Sequence, residues 1–387
     1  MGNLQDKNIK EYLFLTGFCI FLSKLALGNT TILEFFNVNS LSANFFYILG
    51  FSFIAIKIIL FDRYSLKNII IILILSIFFI INYRETGSSE IIILFYLILG
   101  SKSVSLRKIV KSHFYTYSLI MLFALLLSLI GYTENFRVFS ENGIRFSLGN
   151  TYPTDFAAGI FYLILDFVYL KNKKMNLFTQ LIVLSIIFIT FFATKATTSF
   201  ILSFLFINYV FFMDHYKSKL NKKRRFKNFV AIIMYPFLCL ISFIVPIFAD
   251  TSSNIWGTID KILSYRISYS RLAYERYGIP LFGNPIKFVG GGWNTTSGQE
   301  YFYVDNGYFY FSLFYGIIIL SLVCIAFSFV IFNQQKNKYL IIILVMISLN
   351  ALIEPRFLNY LYNPFLFSIP YYVLFKNTLK KAENKCE

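Results

Sequence analysis

The residues best suited to chemistry lie in one polar interval, 250–306, within a chain that otherwise reads as hydrophobic runs joined by short loops. Inside it, YRISYSRLAYERYG sets Arg266, Arg271 and Arg276 five residues apart among tyrosines, IPLFGNPIKFVGGGWN follows, and VDNGY brings Asp305 and Asn306 to the mouth of the next apolar run. A planar guanidinium binds phosphate or carboxylate through two parallel N–H groups and keeps its charge in a dry site. The spacing reads as helix from Trp256 to Tyr277, with Ile259, Ile262 and Leu263 on a face suited to the membrane surface. Five-residue steps fan the arginines around that helix instead of stacking them. Arg271 stands four residues before Glu275 and is expected to pair with it, leaving Arg266 and Arg276 freer for an anion. Asp305, followed by Asn306 and Gly307, also has the pattern of a helix N-cap.

A second polar stretch, ENGIRFSLGNTYPTDFAAGIFY, carries Arg145 and Asp155. Pro153 fits a first helical turn and Asp155 suits the positive end of the helix dipole, so both are explained by an ordinary helix start. Arg145 has no such local explanation. Each of these arginines has an alternative use, lying along the bilayer surface with its guanidinium at the lipid headgroups.

The elements that must hold these residues are membrane spans. The chain has 387 residues, 57% hydrophobic and only 14% charged, against about 25% charged in soluble domains. Apolar runs at about 12–27, 43–60, 68–82, 89–100, 114–131, 154–170, 177–193, 196–213, 229–249, 308–332, 339–353 and 364–375 predict an all-α polytopic membrane protein of about twelve transmembrane helices, a single domain over 1–387 with 250–306 as its long external loop. No strand alternation suggests a barrel, no cleavage site follows the first run, and no internal repeat is visible.

The net charge of +17 is explained by topology, because the lysines sit in alternate loops. Arg63 and Lys67, Lys102 to Lys111, Lys171 to Lys174, the Lys217 to Lys227 block, Lys336 and Lys338, and the lysines after Lys376 all fall on one side if the N-terminus is cytoplasmic. Both termini are then expected inside and the 250–306 loop outside. A nucleic-acid partner is not expected, since the charge forms no clustered face. Cys19, Cys239, Cys324 and Cys386 have no metal spacing, and His113 and His215 fall toward the cytoplasmic ends of runs. No metal site and no cofactor are expected.

RFSLGNTYPTDFAAGIFY, SRLAYERYGIPLFGNPIKFVGGGW, VDNGYFYFSLFYG and EPRFLNYLYNPF occur in this order over the C-terminal two thirds. Together they resemble the Wzy-type oligosaccharide repeat-unit polymerases of capsule and O-antigen synthesis, which are related to the O-antigen ligases. The resemblance implies a GT-C-like arrangement at the outer face of the cytoplasmic membrane. The implied reaction is metal-independent: a growing glycan is transferred from undecaprenyl diphosphate to a sugar hydroxyl of the next lipid-linked repeat. It also implies the bilayer, a flippase and a chain-length regulator as pathway partners.

On this resemblance Arg266 and Arg276 stabilise the departing diphosphate and Asp305 orients or deprotonates the acceptor hydroxyl, with Arg145, Arg271, Asp155, Asn306 and Arg356 around the substrate. Tyr265, Tyr269, Tyr274 and Trp293 either line the sugar or lipid path or anchor the loop at the interface. Two departures stand out. Where many members carry His-Pro-Asn this chain has Tyr152, Pro153 and Thr154, and where ligases carry His-Asn it has Asp305 and Asn306.

Two other classes compete. A lipid-linked oligosaccharide flippase would share the span count but should place charge inside its spans, where only Lys24, Lys57 and Asp166 occur, toward span ends. A polyprenyl-phosphate-sugar transferase would need paired acids in the first outward loop, which offers Glu34 alone. An O-antigen-ligase-like transferase ranks above it.

Overall fold

In the computed structural model, residues 2–35, 40–140, 143–171, 173–215, 224–290, 302–335 and 337–370 are described. Trp293, Glu300, Lys336, most of the Lys217 to Lys227 block and the lysines after Lys376 lie outside them.

Helices dominate. In chain order they are α1 (Gly2–Gly28), α2 (Ile32–Phe35), α3 (Ser40–Ile56, continued by a π turn, Lys57–Phe61), α4 (Leu66–Thr86), α5 (Glu90–Gly100), α6 (Leu106–Ile130), α7 (Pro153–Leu170), α8 (Leu177–Thr194), α9 (Thr197–His215), α10 (Arg224–Phe248), α11 (Asn254–Ile262), α12 (Arg266–Tyr277), α13 (Gly307–Tyr315), α14 (Ile317–Asn333) and α15 (Lys338–Ala351). Seven of these are long and apolar enough to cross a membrane, and four shorter apolar helices accompany them. Their outward faces carry Ile, Leu and Phe side chains, such as Leu73 and Ile189, that a bilayer would cover.

Polar contacts sort the helix ends into two groups. At one end of the bundle Lys57 meets the Lys102 carbonyl at 2.6 Å, Lys108 pairs with Glu11, and Arg107 reaches the Leu170 carbonyl. There too, Asp214 accepts hydrogen bonds from Lys171, Lys338 and Tyr339. Apart from Lys57, which belongs to the end of an apolar run, these basic residues are the ones that the loop pattern groups together. The opposite end carries α11, α12 and two segments without regular structure, 302–306 and 352–363.

Four local expectations change. The predicted single helix from Trp256 to Tyr277 is two, because Ser264 and Tyr265 take positive φ (55° and 61°), and the Asp260 carboxylate turns back to accept from the Ile267 and Ser268 amides. The 308–332 run breaks at Gly316, whose φ is 87° and where a Cβ would lie 2.3 Å from the Leu281 carbonyl oxygen. The extended segment 280–284, which is not a regular strand, crosses that break: Ile317 N donates to the Pro280 carbonyl and Asn284 N to the Leu313 carbonyl. From α4, Asn82 donates to the Phe282 and Tyr315 carbonyls at 2.6 and 3.0 Å, satisfying backbone freed by the break. Third, the stretch before α7 contains an antiparallel two-stranded ribbon, β1 (Arg137–Ser140) with β2 (Gly143–Phe146), in an otherwise helical chain. Fourth, the apolar run expected from 364 opens as a 3-10 turn, Pro364–Phe367.

The segment after α15 matters most for the site. Residues 352–363 are irregular yet buried or half-buried, with Phe357 and Asn363 fully enclosed. Irregular backbone inside an apolar bundle is tolerated where protein or a wet cavity surrounds it, and both conditions hold here. His113, fully buried in α6, bonds the Leu361 carbonyl at 2.9 Å through Nε2 and Asp166 of α7 at 2.6 Å through Nδ1. A carbonyl cannot donate, so Nε2 carries a proton; one further proton lies between Nδ1 and the carboxyl, and the pair is neutral overall.

Candidate active site

The buried segment presents Arg356 to α7. Its guanidinium bonds Asp155 at 2.5 Å and Glu354 at 2.5 Å and sits 5.1 Å from the Tyr362 ring centroid. Asp155 also accepts from Thr151 and from the Tyr362 hydroxyl, which in turn accepts from Asn29, just after α1, at 2.9 Å. Asp155 therefore does more than start a helix: Pro153 occupies the first turn as expected, while the Asp155 carboxylate turns to a residue 201 positions away. Burial opposes the charge on the Arg356 guanidinium, but Glu354, Tyr362 and Asp155 together outweigh it and hold the group charged well beyond its ordinary range.

Of these groups, Arg356, Asp155, Tyr362 and Asn29 line a cavity of about 360 Å³ at the end of the bundle away from the basic loops. Lys24, Glu90 and five further tyrosines, among them Tyr47, Tyr303, Tyr310 and Tyr315, complete much of its wall. A concave site with aromatic faces and a few converging polar groups is the usual form of a small-ligand site.

Asp305 and Arg266 come together at 3.4 Å, with side chains 34% and 22% exposed. Burial pushes the Asp305 carboxyl above the usual carboxylate range; Arg266 opposes that shift, Glu354 adds to it, and Arg356 again opposes it. The approach has a steric cause. Gly307 begins α13, and a Cβ there would lie 2.7 Å from the Glu354 carbonyl oxygen, so the absence of a side chain lets the 302–307 turn pack on the Glu354–Arg356 loop. Tyr303 connects the two groups, lining the cavity two residues before Asp305, and its hydroxyl is pushed well above its usual value by burial.

The cap assignment divides between neighbours. Asn306 is the N-cap of α13 and accepts from the Phe309 amide at 3.2 Å, which leaves Asp305 free of a capping role.

The three loop arginines reach different places, as their fanned spacing requires. Arg266 turns to Asp305; Arg271 pairs with Glu275 at 3.2 Å and reaches the Ala249 carbonyl, as expected; Arg276 stacks 5.2 Å from the Phe302 ring centroid. Arg145 donates to the Thr194 carbonyl at 2.9 Å and lies 5.7 Å from the Tyr152 ring centroid. Of the residues singled out in the sequence, the structure groups Asp155 and Arg356 in the cavity and Arg266 and Asp305 beside it. Arg271 and Arg145 are occupied by other partners. Tyr269 is half-buried on α12 and is not among the cavity-lining residues.

Glu354, Tyr303, Tyr362 and Asn29 were missed. Glu354 and Tyr362 lie in EPRFLNYLYNPF, whose Glu-Pro-Arg amid apolar residues was a signal available to find them. Nothing local to Asn29 or Tyr303 marks either.

No family model, no curated protein and no solved structure matches the chain.

Proposed function

We propose that the chain polymerises lipid-linked oligosaccharide repeat units at the outer face of the cytoplasmic membrane, as a GT-C-like protein of about twelve spans with both termini cytoplasmic and the 250–306 loop outside. The observation that carries this reading is the buried irregular segment 352–363. It holds Arg356 between Asp155 and Glu354 in the wall of a tyrosine-lined cavity, with the Asp305–Arg266 pair alongside. Tyrosine rings offer flat apolar faces to sugars and hydroxyls to their polar edges.

In this reaction a hydroxyl oxygen of the acceptor repeat attacks the anomeric carbon of the donor glycan. The new glycosidic C–O bond forms as the bond to the diphosphate oxygen breaks, and undecaprenyl diphosphate leaves with the electron pair. Asp305 orients the acceptor and takes its proton, and the adjacent Arg266 favours the ionised carboxylate that this needs. The positive charge of Arg266 and Arg356 stabilises charge developing on the leaving group in a partly dry cleft, with no metal required. The raised range of the Asp305 carboxyl makes it a better proton acceptor than an ordinary aspartate.

The test is purified protein in proteoliposomes given synthetic undecaprenyl-diphosphate-linked repeats, with and without excess chelator. Ladders of increasing length in both samples support the reading; dimer-free single repeats sink it. Transfer of one preformed glycan to a non-repeat acceptor, with no ladder, would favour the ligase alternative. One observation favours the transport alternative instead: the His113–Asp166 pair is an ionisable pair within the spans, as a flippase would use. Movement of a fluorescent lipid-linked repeat across the proteoliposome bilayer, abolished in His113→Gln, is the result expected of that alternative.

A further inference from the structure

The cations reviewed so far already have partners. Arg356 is held by Asp155 and Glu354, Arg266 by Asp305, Arg271 by Glu275, and Arg145 by a backbone carbonyl. Lys24 is different. It stands on α1 four residues before the helix ends and lines the same cavity as Arg356. Its Nζ donates to the Tyr47 hydroxyl at 2.7 Å and lies 4.2 Å from that ring's centroid. Among the described residues no carboxylate pairs with it. The two acids in the cavity wall are engaged elsewhere, Glu90 by the Tyr315 hydroxyl at 2.8 Å and Asp155 by Arg356.

An ammonium has three donors, and one phenol with an aromatic face does not replace the water it loses in a partly buried wall. That desolvation cost is offset when an anion enters the cavity. We infer that Lys24 anchors an anionic oxygen group of the ligand that occupies this cavity. The inference deepens the polymerase reading and rests on it for the identity of the ligand, which has two sources of such a group: the diphosphate of the polyprenyl carrier and the carboxylate of an acidic sugar. Bound in the cavity that the occupied Arg356 also lines, the group would fix the depth at which the lipid-linked substrate sits. No arginine of the 250–306 loop supplies this contact.

Binding is measured with protein in phosphatidylcholine nanodiscs, using undecaprenyl diphosphate, methyl glucuronide and methyl glucoside as probes. Lys24→Met should weaken one anionic probe by about tenfold or more, leave methyl glucoside unchanged, and be largely rescued in Lys24→Arg. Loss confined to undecaprenyl diphosphate assigns the carrier, and loss confined to methyl glucuronide assigns the acidic sugar. Equal affinities of wild type and Lys24→Met for both anions overturn the inference.

If Lys24→Met fails to fold, the unaltered protein decides. Acetylation of Lys24, followed by peptide mass spectrometry, should slow when the binding anion is saturating, and a rate unchanged by both anions overturns the site. The two readings also fail separately. Lys24-dependent anion binding without any polymer ladder leaves this site standing and sinks the polymerase, while a ladder with Lys24-independent binding does the reverse.

Discussion

Asp155 and Arg356 meet at 2.5 Å across 201 residues of sequence, joining the first turn of α7 to the irregular segment that follows α15. Removing the guanidinium strands two carboxylates, Asp155 and Glu354, in a largely buried site. Arg356→Ala should therefore lose about 3–5 kcal/mol of stability, read as a fall in melting temperature in detergent. Arg356→Lys should fold better yet still fail in polymer formation, because a point charge cannot replace the fork that bridges two acids. A wild-type ladder from folded Arg356→Lys would refute the role.

Asp305 and Asn306 should separate cleanly. Asn306→Ala removes the α13 cap and costs about 1 kcal/mol, with polymer formation persisting at lower temperature. Asp305→Asn leaves that cap intact and removes the proton acceptor, so it should retain the melting temperature and lose polymer formation. The opposite pattern would make Asp305 the structural residue.

The pH profile follows from the Asp305 carboxyl. Its proton must leave before it can accept another, so activity should rise with pH through a value above that of an ordinary aspartate, since burial raises it. Arg266 pulls in the opposite direction; hence Arg266→Gln should move the rising limb to higher pH, beyond any effect on maximal rate. The sign for stability is the reverse of the usual acidic case. Between the unfolded and the raised folded value the native state holds the extra proton, so this group's contribution falls as pH rises. Polymer formation measured from pH 4 to 8 checks the limb, which should shift up in Arg266→Gln.

The His113–Asp166 pair should behave as one unit. His113→Phe leaves the Leu361 carbonyl and the Asp166 carboxyl without their partner, and its loss should amount to several kcal/mol, about 3 or more. The double variant His113→Phe with Asp166→Leu should lose less than the two single variants summed. Additive losses in the melting curves would mean that the two residues act independently.

The break between α13 and α14 should resist straightening. Gly316→Ala places a Cβ at a left-handed backbone position against the Leu281 carbonyl, so it should destabilise by more than about 1 kcal/mol even though alanine favours helices. Asn82→Ala should cost about 1–3 kcal/mol by leaving the Phe282 and Tyr315 carbonyls without their side-chain donor. A stabilised Gly316→Ala would show that the break is incidental.

Much of the architecture was legible without coordinates, because hydropathy is a local sum and apolar runs such as 68–82 carry it whatever they pack against. The segregation of lysines into alternate loops is equally local, and the ends that they mark do cluster, as the Lys171–Asp214–Lys338 contacts attest. Helix starts at Pro153 and near Asn306, and the Arg271–Glu275 pair, follow from spacing alone. Pairings between distant spans do not. An arginine in EPRFLNYLYNPF has the same hydropathy whether it faces lipid headgroups or two carboxylates, and only packing of α7 against the segment after α15 decides between them. The same limit hid the break at Gly316, since glycine within an apolar run does not reveal what backbone approaches it. Sequence therefore determined that this is a membrane-class helical protein with its basic loops grouped at one end. Tertiary structure decided that Asp155, Arg356, Asp305 and Lys24 gather at the other, because long-range packing brings charges together that no local pattern connects.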